Sequence, residues 1–393
     1  MAFTTKKIKS KVVGIIDIGT YKIRVAITKY KNKDLELIGY GEKRSLITEY
    51  ENISDSLDAR QTYEDIADGI KKAEIDANTK IQEVIINIPF RELFFEFDKV
   101  NYIRKESEKA INNKELNEIL TEVKEISLRK AFQSIKANNS YSKEQLKLII
   151  SSINSILLDK EESRKLLGKQ PKEVNISILN IFIPEDKYDF IKSLGNILEK
   201  KIIKIIPSEY SIAKLDYAKE NVVIIDLGSS HTSIIVKLNN NIIWVKKIAV
   251  WINDLIKEIQ KNYNKTKIDI INTIDEGIYL KEKRSFLEIF KDILIISLEE
   301  ILWNKICPHH FFMLWWGSNK FIKQFLQETD LNKENLKMVK KISFLTPNIE
   351  YLSDIDSSKS NLNIYSMMKC ALEFIKREKD PVEDSLKEIM WEY

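Results

Sequence analysis

The stretch Val222-Val-Ile-Ile-Asp-Leu-Gly-Ser-Ser-His-Thr-Ser-Ile-Ile-Val236 is a weak copy of an earlier stretch, Val13-Gly-Ile-Ile-Asp-Ile-Gly-Thr-Tyr-Lys-Ile-Arg-Val-Ala-Ile27. In both copies a β-branched apolar run ends in Asp-x-Gly, and a second apolar run follows a few residues later. This pattern predicts a strand, a tight turn and a second strand. The repeat predicts an internal duplication.

Turns of this kind can bind phosphate. A glycine at the bend lets successive backbone N–H groups face phosphate oxygens, and a carboxylate at the end of the preceding strand can hold hydrated Mg²⁺. Asp17 and Asp226 are the candidate metal ligands, through water, when a nucleotide is bound. The other candidate contacts in the turns are Gly19, Thr20, Tyr21, Lys22, Gly228, Ser229, Ser230, His231 and Thr232. The alternative is a turn that binds no ligand. This alternative carries more weight for the second copy than for the first.

Composition narrows the class of protein. With 393 residues and an apolar fraction of 44%, the chain is expected to fold as two or three domains. The 63 basic and 59 acidic residues nearly balance, so no nucleic-acid partner is predicted. Two cysteines form no disulfide framework, and no signal peptide or apolar run of about 18 residues is present. We expect a cytoplasmic protein, with contact to the inner face of the membrane at most peripheral.

The first half alternates strands and helices, which predicts an α/β layer. Apolar spacing at Ile66, Ile70 and Ala73 predicts an amphipathic helix within 54–78. Between residues 90 and 168 the pattern changes to a strand, a long helix over 113–135 and a bent strand or strand pair over 147–158, which predicts an inserted module. The α/β pattern is expected to resume with a strand over 174–183.

The second half repeats this plan. Residues 254–305 are predicted to be mostly helical, with Leu287, Phe290 and Leu294 among the apolar residues of one face. A buried strand over 311–316, a turn at Gly317 and Ser318, and a helix over 319–328 follow.

Taken together, the duplicated hairpins, the α/β domain in each half and the late Gly-Ser turn resemble the superfamily of actin, sugar kinases and DnaK-type chaperone ATPases. Within it, the chain resembles the FtsA family of bacterial cell-division actin homologues. The resemblance covers residues 12–377 and rests on Val13-Gly-Ile-Ile-Asp-Ile-Gly-Thr20, on the insert between Pro89 and Gly168, and on Ile205-Ile-Pro-Ser-Glu-Tyr-Ser-Ile-Ala213.

The resemblance implies an α/β fold of duplicated, actin-like ribonuclease-H-type domains with an FtsA-like inserted subdomain. The implied ligand is ATP with Mg²⁺, the implied assembly is a homo-oligomer or actin-like filament, and the implied partner is FtsZ or another division protein. The domains expected in chain order are the first actin-like domain in two parts (1–89 and 169–216) around the insert (90–168), the second in two parts (217–253 and 306–362) around a helical subdomain (254–305), and C-terminal helices (363–393).

Three departures from the family pattern predict a degenerate ATP site without efficient catalysis. The second phosphate motif of the family, Asp-Ile-Gly-Gly-Gly-Thr, is Asp226-Leu-Gly-Ser-Ser-His231 here. The adenosine motif Thr-Gly-Gly-Gly-Ser becomes Leu314-Trp-Trp-Gly-Ser318, whose indoles cannot replace glycine. The glutamate of a nucleotide-contacting Glu–Lys pair becomes Ile278. The remaining candidate nucleotide contacts are Lys281, Gly317 and Ser318.

Two other segments bear on function. Cys307-Pro-His-His310 is expected to be a loop rather than a metal site, because ligands so crowded in sequence rarely close a tetrahedron. The acidic segment 380–393 carries apolar residues on one plausible helix face, and anionic lipid would repel it. It is expected to dock on a protein, so membrane attachment would come through a partner or through the lysines between residues 6 and 11.

Three functional hypotheses follow. The first is an FtsA-like cytoskeletal adaptor that self-assembles and binds a division partner. The second is a PilM-like cytoplasmic scaffold of type IV pilus assembly, which would bind a short N-terminal peptide of a membrane protein. An active ATP-dependent kinase is disfavoured, because two glycine motifs are damaged and no candidate base stands out.

Overall fold

The computed structural model describes residues 11–19, 22–31, 34–45, 56–87, 90–139, 141–163, 165–228, 231–303, 305–314, 320–331, 336–346 and 362–375. The strands are β1 (Lys11–Ile18), β2 (Lys22–Lys31), β3 (Asp34–Arg44), β4 (Glu83–Asn87), β5 (Phe94–Ile103), β6 (Leu146–Leu158), β7 (Glu161–Glu162), β8 (Glu173–Pro184), β9 (Lys201–Ile205), β10 (Val222–Leu227), β11 (Thr232–Leu238), β12 (Asn241–Ile248), β13 (His310–Leu314) and β14 (Ser343–Phe344). The helices are α1 (Ser56–Asp76), α2 (Asn113–Asn139), α3 (Glu185–Ile197), α4 (Ser208–Ala213), α5 (Ile252–Tyr263), α6 (Lys267–Thr273), α7 (Leu280–Leu302), α8 (Lys320–Glu328) and α9 (Leu362–Ile375).

The chain divides into two compact units. The first is built on a five-stranded sheet of order β3-β2-β1-β4-β9, in which β1 to β3 form an antiparallel meander and β4 and β9 add in parallel. Helix α1 packs against β2 and β3, and the side chains of Ile66, Ile70 and Ala73 are buried, as their spacing predicts. Helices α4 and α9 contact each other, and the hydroxyls of Ser211 and Ser366 share a hydrogen bond of 2.9 Å.

A second five-stranded sheet, in the second unit, has the order β12-β11-β10-β13-β14. Its pairing directions match those of the first sheet strand for strand, with an antiparallel meander followed by two parallel strands. The predicted duplication is therefore confirmed. Apolar residues from α5, α7 and α8 pack on this sheet, and Phe290, Leu294 and Leu298 of α7 are completely buried.

The same unit contains a four-stranded antiparallel sheet of order β5-β8-β6-β7, on which α2 packs. Strand β6 is one bent strand, with register shifts after Leu148 and Ile153. The strand expected to resume the first sheet, β8, pairs instead with β5 and β6 along its whole length. Its nearly continuous apolar sequence is compatible with a central position in either sheet, so periodicity alone could not decide.

A polar chain interrupts the core beneath α2. Ser127 Oγ donates to Asp98 Oδ2 at 3.1 Å, and Asn180 Nδ2 donates to Ser127 Oγ at 2.7 Å. Ser151 Oγ donates to Asn180 Oδ1 at 2.8 Å. Along α2 and β8 these residues fall between two separate apolar clusters. The inserted sheet also reaches edge strand β12, where Asn154 Nδ2 donates to the carbonyl of Ile242 at 2.8 Å.

Among the helices described, none is both long enough and apolar enough to cross a membrane.

Candidate functional site

The two Asp-x-Gly turns are closed by the same backbone hydrogen bond. In the first, the N–H of Gly19 donates to the carbonyl of Lys22 at 3.0 Å; in the second, the N–H of Gly228 donates to the carbonyl of His231 at 3.0 Å. Strand pairing resumes at the same offset, with Asp17 opposite Arg24 and Asp226 opposite Ser233. The turns are therefore structural equivalents.

Glycine is required at both bends because the chain folds back onto it. A Cβ on Gly19 would lie 2.9 Å from the carbonyl oxygen of Lys22, and one on Gly228 would lie 2.5 Å from that of His231. Both distances are shorter than van der Waals contact allows, and the obstructing atom is backbone in each case. The second turn has thus kept the closing contact at its glycine although its sequence departs from the glycine-rich family motif.

Two partners hold the carboxylate of Asp17. Arg24 and Asn87 are its neighbours on the adjacent strands β2 and β4. Arg24 Nη1 donates to Oδ2 at 3.0 Å, and Asn87 Nδ2 donates to Oδ1 at 2.8 Å. Asn87 Oδ1 in turn accepts from the backbone N–H of Ser208 at 3.0 Å. All three side chains of this group are buried, so it is a buried polar cluster at the ends of the strands.

Sequence reasoning missed Arg24 and Asn87. Arg24 could have been found, because an antiparallel hairpin with this turn places the residue seven positions after Asp17 directly opposite it. The Nε–H donor of Arg24 is buried and makes no hydrogen bond among the described residues. A guanidinium with an unused N–H beside a phosphate-type turn is a suitable anion contact.

At the edge of the first turn, Lys22 is engaged by an acid. Its Nζ lies 2.8 Å from Glu42 Oε1, and Tyr40 Oη donates to Glu42 Oε2 at 3.2 Å. Burial favours the neutral carboxyl, but the hydrogen bond and charge of Lys22 outweigh it and hold the pKa of Glu42 below its usual range. Burial first, and then the charge of Glu42, raise the pKa of Tyr40. A phosphate would have to compete with Glu42 for Lys22.

Around Asp226 the environment differs. Its neighbours on the adjacent strands are Ser233 and Leu314, where the first copy has Arg24 and Asn87. Thr232 is completely buried and donates its hydroxyl to the carbonyl of Val250, so its side chain faces the protein. His231 is also nearly buried. The position that holds arginine opposite Asp17 in the first copy therefore holds serine opposite Asp226 in the second.

The buried phenol of Tyr217 is a second neighbour of Asp226 that the sequence did not reveal. Burial first, and then the charge of Asp226, raise the pKa of Tyr217 well above its ordinary value. Its ring lies 5.1 Å from that of Phe312, and Lys237 Nζ lies 5.3 Å from its centre. Tyr217 therefore packs against the ring of Phe312 and also contacts the ammonium group of Lys237.

Of the remaining predicted contacts, only Lys281 lies among the described residues. Lys281 is exposed in the first turn of α7, and Ile278 is 41% exposed. Thr20, Tyr21, Ser229, Ser230, Gly317 and Ser318 lie outside the described residues. In the ranges that are described, no group of three or more His, Cys, Asp or Glu side chains is arranged to hold a metal. The rings of His309 and His310 are tilted against each other with their centres 4.0 Å apart, and Cys307 is buried.

The sequence matches no protein-family model and no curated protein. Among solved structures, a chain of the PilM–PilN type IV pilus biogenesis complex is 10% identical, with a TM-score of 0.59 over 91% of this chain and 97% of that one. The ethanolamine utilization protein EutJ from Carboxydothermus hydrogenoformans is 9% identical, with a TM-score of 0.41 over 84% of both chains. A Bacteroides thetaiotaomicron protein with an actin-like ATPase fold is 11% identical, with a TM-score of 0.37 over 94% of this chain and 99% of that one. With its two sheets of identical topology, the chain has the actin-like ATPase fold.

Proposed function

We propose that this chain is an actin-fold adaptor, which binds a protein partner and uses a nucleotide as an assembly ligand rather than as a substrate. The observation that carries this proposal is the inequality of the two Asp-x-Gly turns. Both are closed by the same backbone hydrogen bond, but the residue opposite the aspartate differs. It is Arg24 in the first turn, where it forms a buried ion pair with Asp17, and Ser233 in the second.

The chemistry of Asp17 argues against efficient hydrolysis. A carboxylate that positions hydrated Mg²⁺ must offer its negative charge to the metal. Here the guanidinium of Arg24 already lies 3.0 Å from Asp17 Oδ2, where it would repel a divalent cation at short range. The first turn thus suits a phosphate group, through the unused Nε of Arg24, better than it suits the metal.

A PilM-like scaffold of type IV pilus assembly is the partner-binding function that we favour. The support is the likeness to a chain of the PilM–PilN complex over 91% of this chain and 97% of that one. Under this proposal the partner is the short cytoplasmic N-terminal peptide of a bitopic pilus protein. An FtsA-like adaptor of FtsZ is the second candidate, supported by the position of the insert between Pro89 and Gly168.

Nucleotide dependence is tested by calorimetric titration with ATP, with and without Mg²⁺. We expect binding that needs Arg24 but not the metal, so that Arg24→Gln abolishes the heat and chelation of Mg²⁺ does not. Steady release of inorganic phosphate that Asp17→Asn abolishes would show that the site is catalytic, and would refute the proposal.

Partner choice is tested separately. The full chain is titrated with the cytoplasmic N-terminal peptide of the bitopic pilus protein encoded in the same genome and, in a parallel experiment, with FtsZ from that genome. A scrambled peptide of equal composition is the control. Saturable binding of the native peptide alone supports the pilus scaffold, binding of FtsZ alone supports the division adaptor, and binding of neither refutes both.

A further inference from the structure

Three large apolar side chains stand out from one end of the second sheet. Trp303 is 80% exposed, Ile306 is 60% exposed and Val339 is 68% exposed. They belong to two short segments that pair with each other: Cys307 forms a parallel bridge with Met338, and its N–H donates to the carbonyl of Lys337 at 2.8 Å. The segments that carry Ile306 and Val339 are therefore adjacent, and Trp303 lines a groove with Lys305 and Lys337 of these segments.

Lysines alternate with these apolar groups. Lys305, Lys340 and Lys341 are exposed on the same two segments. Trp303 and Lys305 also line one open groove of about 390 Å³. We call this surface the basic-apolar patch. It consists of Trp303, Lys305, Ile306, Val339, Lys340 and Lys341.

Among the described residues, the three lysines of the patch outnumber the acids that line the groove. These acids are Glu299 and Glu300, and Glu300 forms an ion pair with Lys246. The rings of His309 and His310 follow directly, tilted against each other with their centres 4.0 Å apart. The surface is therefore a cationic area from which an indole and two aliphatic side chains protrude.

We propose that the basic-apolar patch docks the protein onto the surface of an anionic lipid bilayer. Lysines near such a surface are attracted by its negative potential, and tryptophan prefers the level of the lipid headgroups. Stable peripheral attachment needs both contributions, and the patch combines them.

This proposal is independent of the proposed function, because vesicles alone provide the readout. The full chain is sedimented with vesicles of phosphatidylcholine, with and without 30% phosphatidylglycerol, at low and at high salt. We expect binding only to the anionic vesicles and release by salt. The charge variant Lys305→Glu/Lys340→Glu/Lys341→Glu should weaken binding at least about tenfold, and Trp303→Ala/Ile306→Ser should weaken it without changing its salt dependence.

Two further variants make the test specific. Lys105→Glu/Lys165→Glu/Lys169→Glu removes the same charge from exposed positions of the inserted module, and it should lose much less binding. Lys6→Ser/Lys7→Ser/Lys9→Ser removes the other basic cluster. Melting curves confirm that each variant is folded. Failure to bind anionic vesicles, loss only in the N-terminal variant, or equal loss in both triple-glutamate variants would each overturn the proposal, as would capture of a soluble acidic peptide in preference to vesicles.

Discussion

Arg24 Nη1 lies 3.0 Å from Asp17 Oδ2 across the first hairpin, and neither side chain is more than 6% exposed. Breaking a buried pair from one side leaves an uncompensated charge. Arg24→Met is therefore expected to lower the free energy of unfolding by about 3–5 kcal/mol. Adding Asp17→Asn should recover much of this loss, since the second change removes the stranded carboxylate. Chemical denaturation of the two single variants and the double variant measures the coupling.

The matched control is Arg60, which pairs with Glu64 on α1 at 3.0 Å with both side chains largely exposed. Exposed pairs of this kind contribute about 0–1 kcal/mol, so Arg60→Met should barely change stability. Arg24→Met could instead change stability as little as Arg60→Met. The ion pair with Arg24 would then not hold the carboxylate of Asp17 firmly enough to keep it from binding a metal ion.

Gly228 tests whether the second turn needs its tight geometry. Alanine there would place Cβ 2.5 Å from the carbonyl oxygen of His231, so the hairpin must open or shift. We expect Gly228→Ala to lower the melting temperature by an amount corresponding to about 1–3 kcal/mol. Gly277→Ala is the control, because nothing lies within 4 Å of the added Cβ. It should leave stability unchanged or raise it slightly. Equal melting temperatures for the two variants would contradict the turn geometry.

The duplication could be predicted from the sequence because both hairpins are local. The apolar runs, the Asp-x-Gly bend and the antiparallel return all lie within 15 residues, and the same local pattern also determines that Asp17 faces Arg24. Asn87 could not be predicted as a neighbour of Asp17. It lies 70 positions away and reaches Asp17 only through the parallel pairing of β1 with β4.

The sheet to which β8 belongs could not be predicted from the sequence either. Val174 to Ile183 is apolar enough for a central strand in any layer, and only the long-range partners β5 and β6 decide the outcome. The exposure of Trp303 could not be predicted either. An indole just after an amphipathic helix is usually expected in a core, and its position depends on where α7 ends and how the chain leaves it.

Both cysteine thiols should be unreactive in the native protein. Burial raises the pKa of Cys307 to about 12, and its side chain is only 1% exposed, while Cys370 is completely buried. At pH 8 only about one Cys307 thiol in ten thousand would be ionised, and the thiolate is the reactive form. We expect no reaction with a disulfide reagent until denaturant is added, and two thiols per chain afterwards. Glu108→Cys, at an exposed position, is the positive control, and fast labelling of the native wild-type chain would contradict the buried positions.

The burial of Glu96 can be tested by measuring how the stability of a Glu96 variant depends on pH. Burial, and then the charge of Asp98, raise its pKa above the ordinary 4.5, although a hydrogen bond from Ser134 opposes them. The stability linked to such a group is fully present below its unfolded pKa and is lost as pH rises through its folded pKa. Glu96→Gln should therefore melt above the wild type near pH 7.5, and the difference should disappear near pH 4. Glu108→Gln removes the same charge from an exposed site and should show no such trend. A Glu96→Gln variant that is less stable than the wild type at pH 7.5 would mean that the ionised carboxylate, rather than the neutral acid, suits the polar chain beneath α2.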